Sequence, residues 1–281
     1  MSTNFFKDKV AVITGAGGTL CSEISIELAK AGAKVVLIGR SEEKLIPVAE
    51  KIKQNKGTAL VLTGDVTDEK RMTQIGKTVK ETFGNCNMLI NGAGGNNSKA
   101  MSSDIAFCPE ELSENYEKTG FFNLDMELFS NVLITNTVGS VIPSRIFAKQ
   151  MIEQGGGSIL NFASMNTYCP LTKVPAYAMA KAAVSNFTQW LAGYLATANI
   201  RVNAIAPGFF ANERSIKFLG TPETGLSQRG KKVIDHTPAG RFGKPHDLVG
   251  CAKWLLNSEE SEFVTGITVP VDGGFLTRSG V

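Results

Sequence analysis

Val10-Ala11-Val12-Ile13-Thr14-Gly15-Ala16-Gly17-Gly18-Thr19-Leu20-Cys21 reads as a strand that turns on glycine and enters a helix. A short, unbroken apolar run closed by glycines fits a strand buried on both faces, as in a parallel sheet. Glycines at such a strand-to-helix turn let the backbone approach a pyrophosphate. The helix that follows supplies free N–H groups and the positive end of its dipole. Taken alone, the same run would also serve as a tight turn that binds nothing.

Outward from this stretch, short β-branched runs alternate with longer amphipathic ones. Strands are expected at residues 10–14, 34–39, 58–62 and 88–91, with helices over 20–31, 41–55 and 68–83 between them. A helix over 125–154, a strand over 158–162, a helix over 176–197 and a strand over 200–205 continue the pattern, and a last strand falls at 268–270. This alternation predicts an α/β fold, a doubly wound and mostly parallel seven-stranded sheet with helices on both faces. Ser41, followed by Glu42 and Glu43, marks a helix start, since acids in a first turn complement the helix dipole. No linker, repeat or low-complexity segment divides the sequence, so one domain over 1–281 is expected. Two long connections break the rhythm, 94–124 and 207–232. Both follow the carboxyl ends of strands, where ligands bind in open α/β sheets.

Hydrophobic residues make up 43% and charged residues 20%, the balance of a globular chain with a large core. The 29 basic and 26 acidic residues give a net charge of +3 with no block of like charge, which argues against nucleic acid or an anionic membrane as partner. Residues 1–9 have no apolar signal core, and no stretch approaches the roughly 18 apolar residues of a membrane span. A cytoplasmic protein is expected. Cys21, Cys86, Cys108, Cys169 and Cys251 are odd in number and scattered, as reduced thiols would be, and His236 and His246 are the only histidines. No catalytic metal is expected from that spacing.

Tyr177 and Lys181 stand four residues apart in an expected helix, with Ser164 thirteen residues before the tyrosine. Positions i and i+4 share a helix face, so a phenol and an ammonium would meet in the same space. A nearby cation favours the phenolate and brings it toward working pH. In isolation such a pair is more often an amphipathic surface pair, and a serine after a strand more often a turn residue.

Thr14-Gly15, Asn91-Gly92-Ala93-Gly94, Ser164, Tyr177-x-x-x-Lys181 and Pro207-Gly208 occur in an order and spacing that resembles the short-chain dehydrogenase/reductase family nearly end to end. The resemblance implies a single Rossmann-type domain, a nicotinamide cofactor and a homotetramer. It implies that Tyr177 is the general acid at a carbonyl oxygen, or the base in reverse, and that Ser164 hydrogen-bonds the same oxygen. Lys181 would hold the nicotinamide ribose and lower the phenol's pKa, and Asn136, in the run Asn136-x-x-Gly139, would hold a water in a proton relay. The cofactor-binding residues it implies are Thr14, Gly15, Gly17, Gly18, Thr19, Leu20, Asp65, Val66, Asn91, Gly92, Ala93, Tyr177, Lys181, Pro207 and Gly208, with Asn212 where the family often has threonine. Thr19 and Cys21 stand where the family's motif usually carries glycine. After the second strand, Arg40 replaces the acid that would bind a ribose 2′-hydroxyl, which favours NADP(H) and leaves NAD(H) as the alternative.

Asn96, Asn97 and Lys99 follow the fourth strand, Asn166 follows Ser164, and Asn212 and Arg214 lie in the second long connection. Amides suit polyol hydroxyls and a cation suits a carboxylate, so the expected substrate is a small polar sugar acid. Singly, each of these residues would equally serve loop solvation. Segments such as Ser164-Met165-Asn166 and Ser185-Asn186-Phe187-Thr188-Gln189-Trp190 look like the family's D-mannonate oxidoreductase, or fructuronate reductase, branch, beside gluconate 5-dehydrogenase-like relatives. The alternatives are a ketogluconate reductase, another carbonyl reductase of the family and, more remotely, a non-catalytic cofactor-binding regulator.

Overall fold

β1 (Val10–Thr14) is buried along its whole length, and its residues divide between two cores. Ala11 and Ile13 join one hydrophobic cluster while Val10 and Val12 join the other. That two-residue alternation places β1 in the middle of a sheet covered on both sides. The computed structural model describes residues 5–212, 215–216, 219–221 and 225–278.

After β1 come α1 (Thr19–Lys30), β2 (Lys34–Gly39), α2 (Glu42–Gln54), β3 (Thr58–Thr63), α3 (Glu69–Phe83) and β4 (Met88–Asn91). The second half adds α4 (Met126–Glu153), β5 (Gly157–Phe162), α5 (Pro175–Leu195) and β6 (Ile200–Pro207). A two-strand hairpin, β7 (Gly220–Thr221) and β8 (Gly225–Leu226), precedes α6 (Gln228–His236), α7 (Val249–Leu256), α8 (Ser258–Ser261) and β9 (Thr268–Val271). Seven strands form one sheet in the order β3-β2-β1-β4-β5-β6-β9. Every pairing in that sheet is parallel. β2 and β4 flank β1, so successive connections leave in opposite directions there and open a crevice at the carboxyl edge of the strands.

The expected strands and helices recur with small shifts at their ends. Ser41 does start α2 with Glu42 and Glu43 in the first turn, but its side chain makes no cap. Asp68 and Asp125 make such caps, accepting from the N–H of Arg71 at 3.0 Å and of Leu128 at 2.9 Å. The connection over 94–124 is built from short 3-10 turns at Ser98–Ala100, Pro109–Leu112 and Phe121–Asn123. Glu111 holds two of them together, its Oε2 accepting the Phe121 N–H at 3.1 Å. The connection over 207–232 is shorter than expected, because α6 begins inside it at Gln228 and β7 and β8 occupy part of it.

Candidate active site

Thr14 ends β1 and fastens the turn to the next strand over. Its Oγ1 accepts the N–H groups of Gly92 at 3.1 Å and Ala93 at 3.2 Å, pinning the chain beyond β4 against the end of β1. Gly15 takes a left-handed φ of +65°, and a Cβ there would lie 2.7 Å from the Gly92 carbonyl oxygen. At Gly17 a Cβ would lie 2.8 Å from Cβ of Lys44 in α2. Gly18 then starts α1 without a side-chain cap, so the first-turn N–H groups, Thr19 and Leu20 among them, have no side-chain acceptor. Thr19 is exposed, while Leu20 packs on the core. A bare backbone cradle that a Cβ would close, beside an uncapped helix start, fits a phosphate group.

Cys21 explains how the turn tolerates its departure from glycine. The thiol is buried, which pushes its pKa up to about 12, so it is an uncharged filler. Its Sγ lies 2.1 Å from the point a Cβ on Gly92 would occupy. The sulfur fills space that a side chain at position 92 would need, so the two positions exchange bulk.

Arg40 and Asp65 meet at the ends of β2 and β3, with Nη1 4.0 Å from Oδ2 in an exposed, loose ion pair. Burial would raise the Asp65 carboxyl, but two hydrogen bonds from Thr67 at 2.8 and 2.6 Å and the Arg40 charge outweigh it and hold the pKa low. Val66 is buried against Gly139 of α4, where a Cβ would lie 2.7 Å from its Cγ2. Asn91 turns its side chain into the core. Its Nδ2 donates to Ser144 Oγ and Asn161 Oδ1, both at 2.9 Å, joining β4 to α4 and β5. Pro207 closes β6, and Gly208 donates its N–H to the Val271 carbonyl at 3.0 Å, where a Cβ would strike Asp272.

Tyr177 and Lys181 lie on the first turns of α5. Lys181 is only 5% exposed, and its Nζ donates to the Phe162 carbonyl at 2.6 Å. Burial lowers the ammonium pKa to about 8, with the nearby Cys21 acting weakly the other way. Nζ is 5.5 Å from the centroid of the Tyr177 ring. The phenol pKa is raised, because burial outweighs the opposing effect of the Ser164 hydroxyl. This reverses the direction expected from sequence: in this arrangement the Lys181 ammonium is directed to a carbonyl and burial wins.

Ser164 is buried just beyond β5, and its Oγ accepts from both the backbone N–H and Nδ2 of Asn166 at 3.2 Å. At Gly94 a Cβ would lie 2.4 Å from Asn136 Oδ1 and 3.5 Å from Lys181 Nζ, so the space between them admits no side chain. Asn136 is wholly buried; its Nδ2 donates to the carbonyls of Gly95 at 2.7 Å and Val132 at 2.8 Å, and its Oδ1 accepts from Gly95 N–H at 3.1 Å. One amide hydrogen thus clamps the chain after β4, and the other is spent on a carbonyl of α4 itself. A relay water would need other donors.

The residues expected to face a substrate divide. Asn96 accepts from the Asn97 N–H at 2.9 Å, and Asn97 from the Lys99 N–H at 3.0 Å, so both side chains close local turns. Asn212 and Ser215 cap one another, Asn212 Oδ1 accepting from the Ser215 N–H at 2.9 Å. Asn166 joins the group of Ser164, Tyr177 and Lys181 through Ser164. Arg214 lies outside the described residues. Two contributors left no trace in the sequence reading: the Phe162 carbonyl, which any residue would offer, and Thr167, whose Oγ1 donates to the Lys181 carbonyl at 2.9 Å.

Elsewhere, a cavity of about 380 Å³ at the opposite edge of the sheet is lined by Lys9, Asn87, Arg201 and Glu259 and contains none of these groups. Among the described residues, the side chains grouped closely enough to share a metal are Glu23, Glu27 and His246, on α1 and the turn Pro245–Leu248. Glu27 is paired with Lys30 at 2.7 Å.

A parallel α/β sheet that gathers serine, tyrosine and lysine at its carboxyl edge, beside a glycine cradle, defines an oxidoreductase of the Rossmann type. The chain belongs to the short chain dehydrogenase family, whose pattern matches residues 9–218. It is 43% identical to an uncharacterized oxidoreductase, UxuB, of Bacillus subtilis, over 97% of this chain and 96% of the relative. It is 33% identical to 2-dehydro-3-deoxy-D-gluconate 5-dehydrogenase of Dickeya dadantii, over 99% of both. A solved structure from Haemophilus influenza, described as that of a candidate D-mannonate oxidoreductase with bound NAD, is 40% identical and superposes with a TM-score of 0.92 over 98% of this chain and 97% of its own.

Two consequences follow from this geometry. Gly92→Ala should cost about 1–3 kcal/mol of stability through overpacking against Cys21, and in urea unfolding the Cys21→Gly/Gly92→Ala double variant should be more stable than the summed single losses by about 1 kcal/mol or more. Strictly additive losses would contradict the exchange. The second concerns pH. Lys181 holds its proton less well folded, at about 8, than at its ordinary 10.5, so its burial weakens the fold while it is charged. That cost fades as pH rises from 8 toward 10.5. Stability of the wild type relative to Lys181→Met should therefore rise by about 2 kcal/mol between pH 7 and 10; parallel pH curves would contradict it.

Proposed function

We propose that this chain transfers hydride reversibly between a nicotinamide cofactor and the carbonyl or hydroxyl carbon of a sugar acid, of the D-mannonate/fructuronate type. The observation that carries the reading is the convergence of Ser164, Tyr177 and Lys181 beside the uncapped start of α1. The bound nicotinamide supplies the hydride donor or acceptor. Residues of the glycine turn would hold the cofactor's phosphates, Asp65 its adenine side and Lys181 its ribose. Tyr177, whose phenol is kept protonated by burial, gives its proton to the carbonyl oxygen as charge develops there, or as phenolate removes it in reverse. Ser164 donates a hydrogen bond to the same oxygen. Lys181, with a pKa of about 8, can pass a proton on near neutrality.

The sugar-acid part rests on the relatives. The Dickeya enzyme's name specifies a ketogluconate-type acid and the Haemophilus protein's description specifies mannonate. The second reading, a ketogluconate reductase, draws on the first of these. For the cofactor, the end of β2 offers Arg40 where a carboxylate would select NAD, which favours NADP(H); the NAD in the Haemophilus relative keeps NAD(H) as the alternative. A homotetramer draws support from the exposed, stacked Trp190 and Tyr194 on α5, with ring centroids 5.0 Å apart, as an apolar face suited to self-association. The five unpaired cysteines suit a reducing, cytoplasmic setting.

A panel of mannonate, fructuronate, other hexuronates, ketogluconates and apolar ketones, run with each cofactor, checks the proposal. Sugar acids should give a kcat/KM at least about tenfold above that of apolar ketones, as a charged hydrogen bond to the carboxylate would provide, and NADPH should exceed NADH. Preference for apolar ketones would overturn the substrate assignment.

A further inference from the structure

Asn166 is 5% exposed and lies within the turn Met165–Thr167 that Ser164 begins. Its Oδ1 accepts the Leu171 N–H at 2.9 Å, which fixes the amide with its nitrogen toward Ser164. Two N–H groups of this one residue, backbone and side chain, then donate to Ser164 Oγ at 3.2 Å. A hydroxyl oxygen has two lone pairs and one hydrogen. With an N–H on each lone pair, the Ser164 hydrogen is the part left to bond outward, and the Tyr177 phenol is near enough for that hydroxyl to lower its pKa.

From this we infer that Asn166 is a positioning residue that makes Ser164 a committed hydrogen-bond donor toward the oxygen shared with Tyr177. The inference rests on the dehydrogenase chemistry and not on the identity of the substrate. Hydride addition puts negative charge on the carbonyl oxygen, and a donor already aimed at it need not reorient as the charge develops. A serine free to rotate would spend part of its time presenting a lone pair to that oxygen instead. Asn166 removes that orientation. The same donor favours the phenolate when an alcohol is oxidised.

Asn166→Asp tests this with little change of shape. The carboxylate keeps an acceptor for the Leu171 N–H but presents an oxygen to Ser164, so the hydroxyl hydrogen turns inward to it. With any alcohol the wild type oxidises, kcat should fall by about a hundredfold, the usual effect of losing one oxyanion donor. The acidic limb of the pH–rate profile should move up by about one unit, with cofactor affinity by fluorescence titration within about twofold of wild type. Asn166→Ala, which keeps the backbone N–H on Ser164, should lose about tenfold in kcat, the size of one hydrogen bond, and carries the test if the aspartate variant fails to fold. A residue that only shaped the turn would alter thermal stability without moving the limb. Unchanged kcat and an unmoved limb in either folded variant would overturn the inference. Failure of the sugar-acid reading is separate: it would appear as wild-type turnover of other alcohols alone, on which the Asn166 variants are still compared.

Discussion

The site depends on keeping the Lys181 ammonium out of water. A buried cation is costly unless it is paired or hydrogen-bonded. Among the described residues no carboxylate comes within 4 Å of it; the Phe162 carbonyl at the end of β5 takes one of its hydrogens. The lowered pKa is the measure of that cost. The surroundings are arranged to permit it: Gly94 leaves the room beside Nζ empty, and Tyr177 covers it at one helical turn's distance. An amine held in this way is readily deprotonated near neutral pH, which suits a role in moving protons.

Holding that geometry requires the helices that bear it to stay in register with the sheet. A buried chain of hydrogen bonds does this. Asn136 clamps Gly95, Ser140 Oγ donates to the Asn136 carbonyl and Ser144 Oγ to the Ser140 carbonyl. Asn91 then donates to both Ser144 and Asn161, and Asn161 donates to Thr188 on α5. The chain runs from α4 through β4 and β5 to α5, so the two long helices are tied through polar groups that tolerate little displacement. The glycine cradle is fixed separately, by Thr14 and by the exchange of bulk between Cys21 and Gly92.

Most of this architecture was legible in the sequence because it rests on local patterns. β-branched runs alternating with amphipathic ones gave the parallel sheet, and Tyr177 and Lys181 shared a face by helical spacing alone. The polar loop residues were harder to read. Asn96, Asn97 and Asn212 close turns, and an asparagine that caps its own turn looks the same in sequence as one that faces a ligand. Asn166 is expected from sequence to face a substrate, whereas its side chain addresses Ser164. The direction of the Tyr177 shift was missed because spacing reports which groups are near, not how deeply they are buried or where the lysine's hydrogens go. The compensation at Cys21 joins residues distant in the chain and leaves no periodic signal.

The central claim is that the Tyr177 phenol carries the proton at the substrate oxygen. Tyr177→Phe removes that one hydroxyl from a ring that otherwise keeps its place against Ala100, Val132 and Ala176. In single-turnover experiments with bound cofactor, the account predicts hydride transfer slowed by about a hundred- to ten-thousandfold, the range of general acid–base catalysis, with cofactor affinity unchanged. Hydride transfer at a near-normal rate in that variant would contradict it.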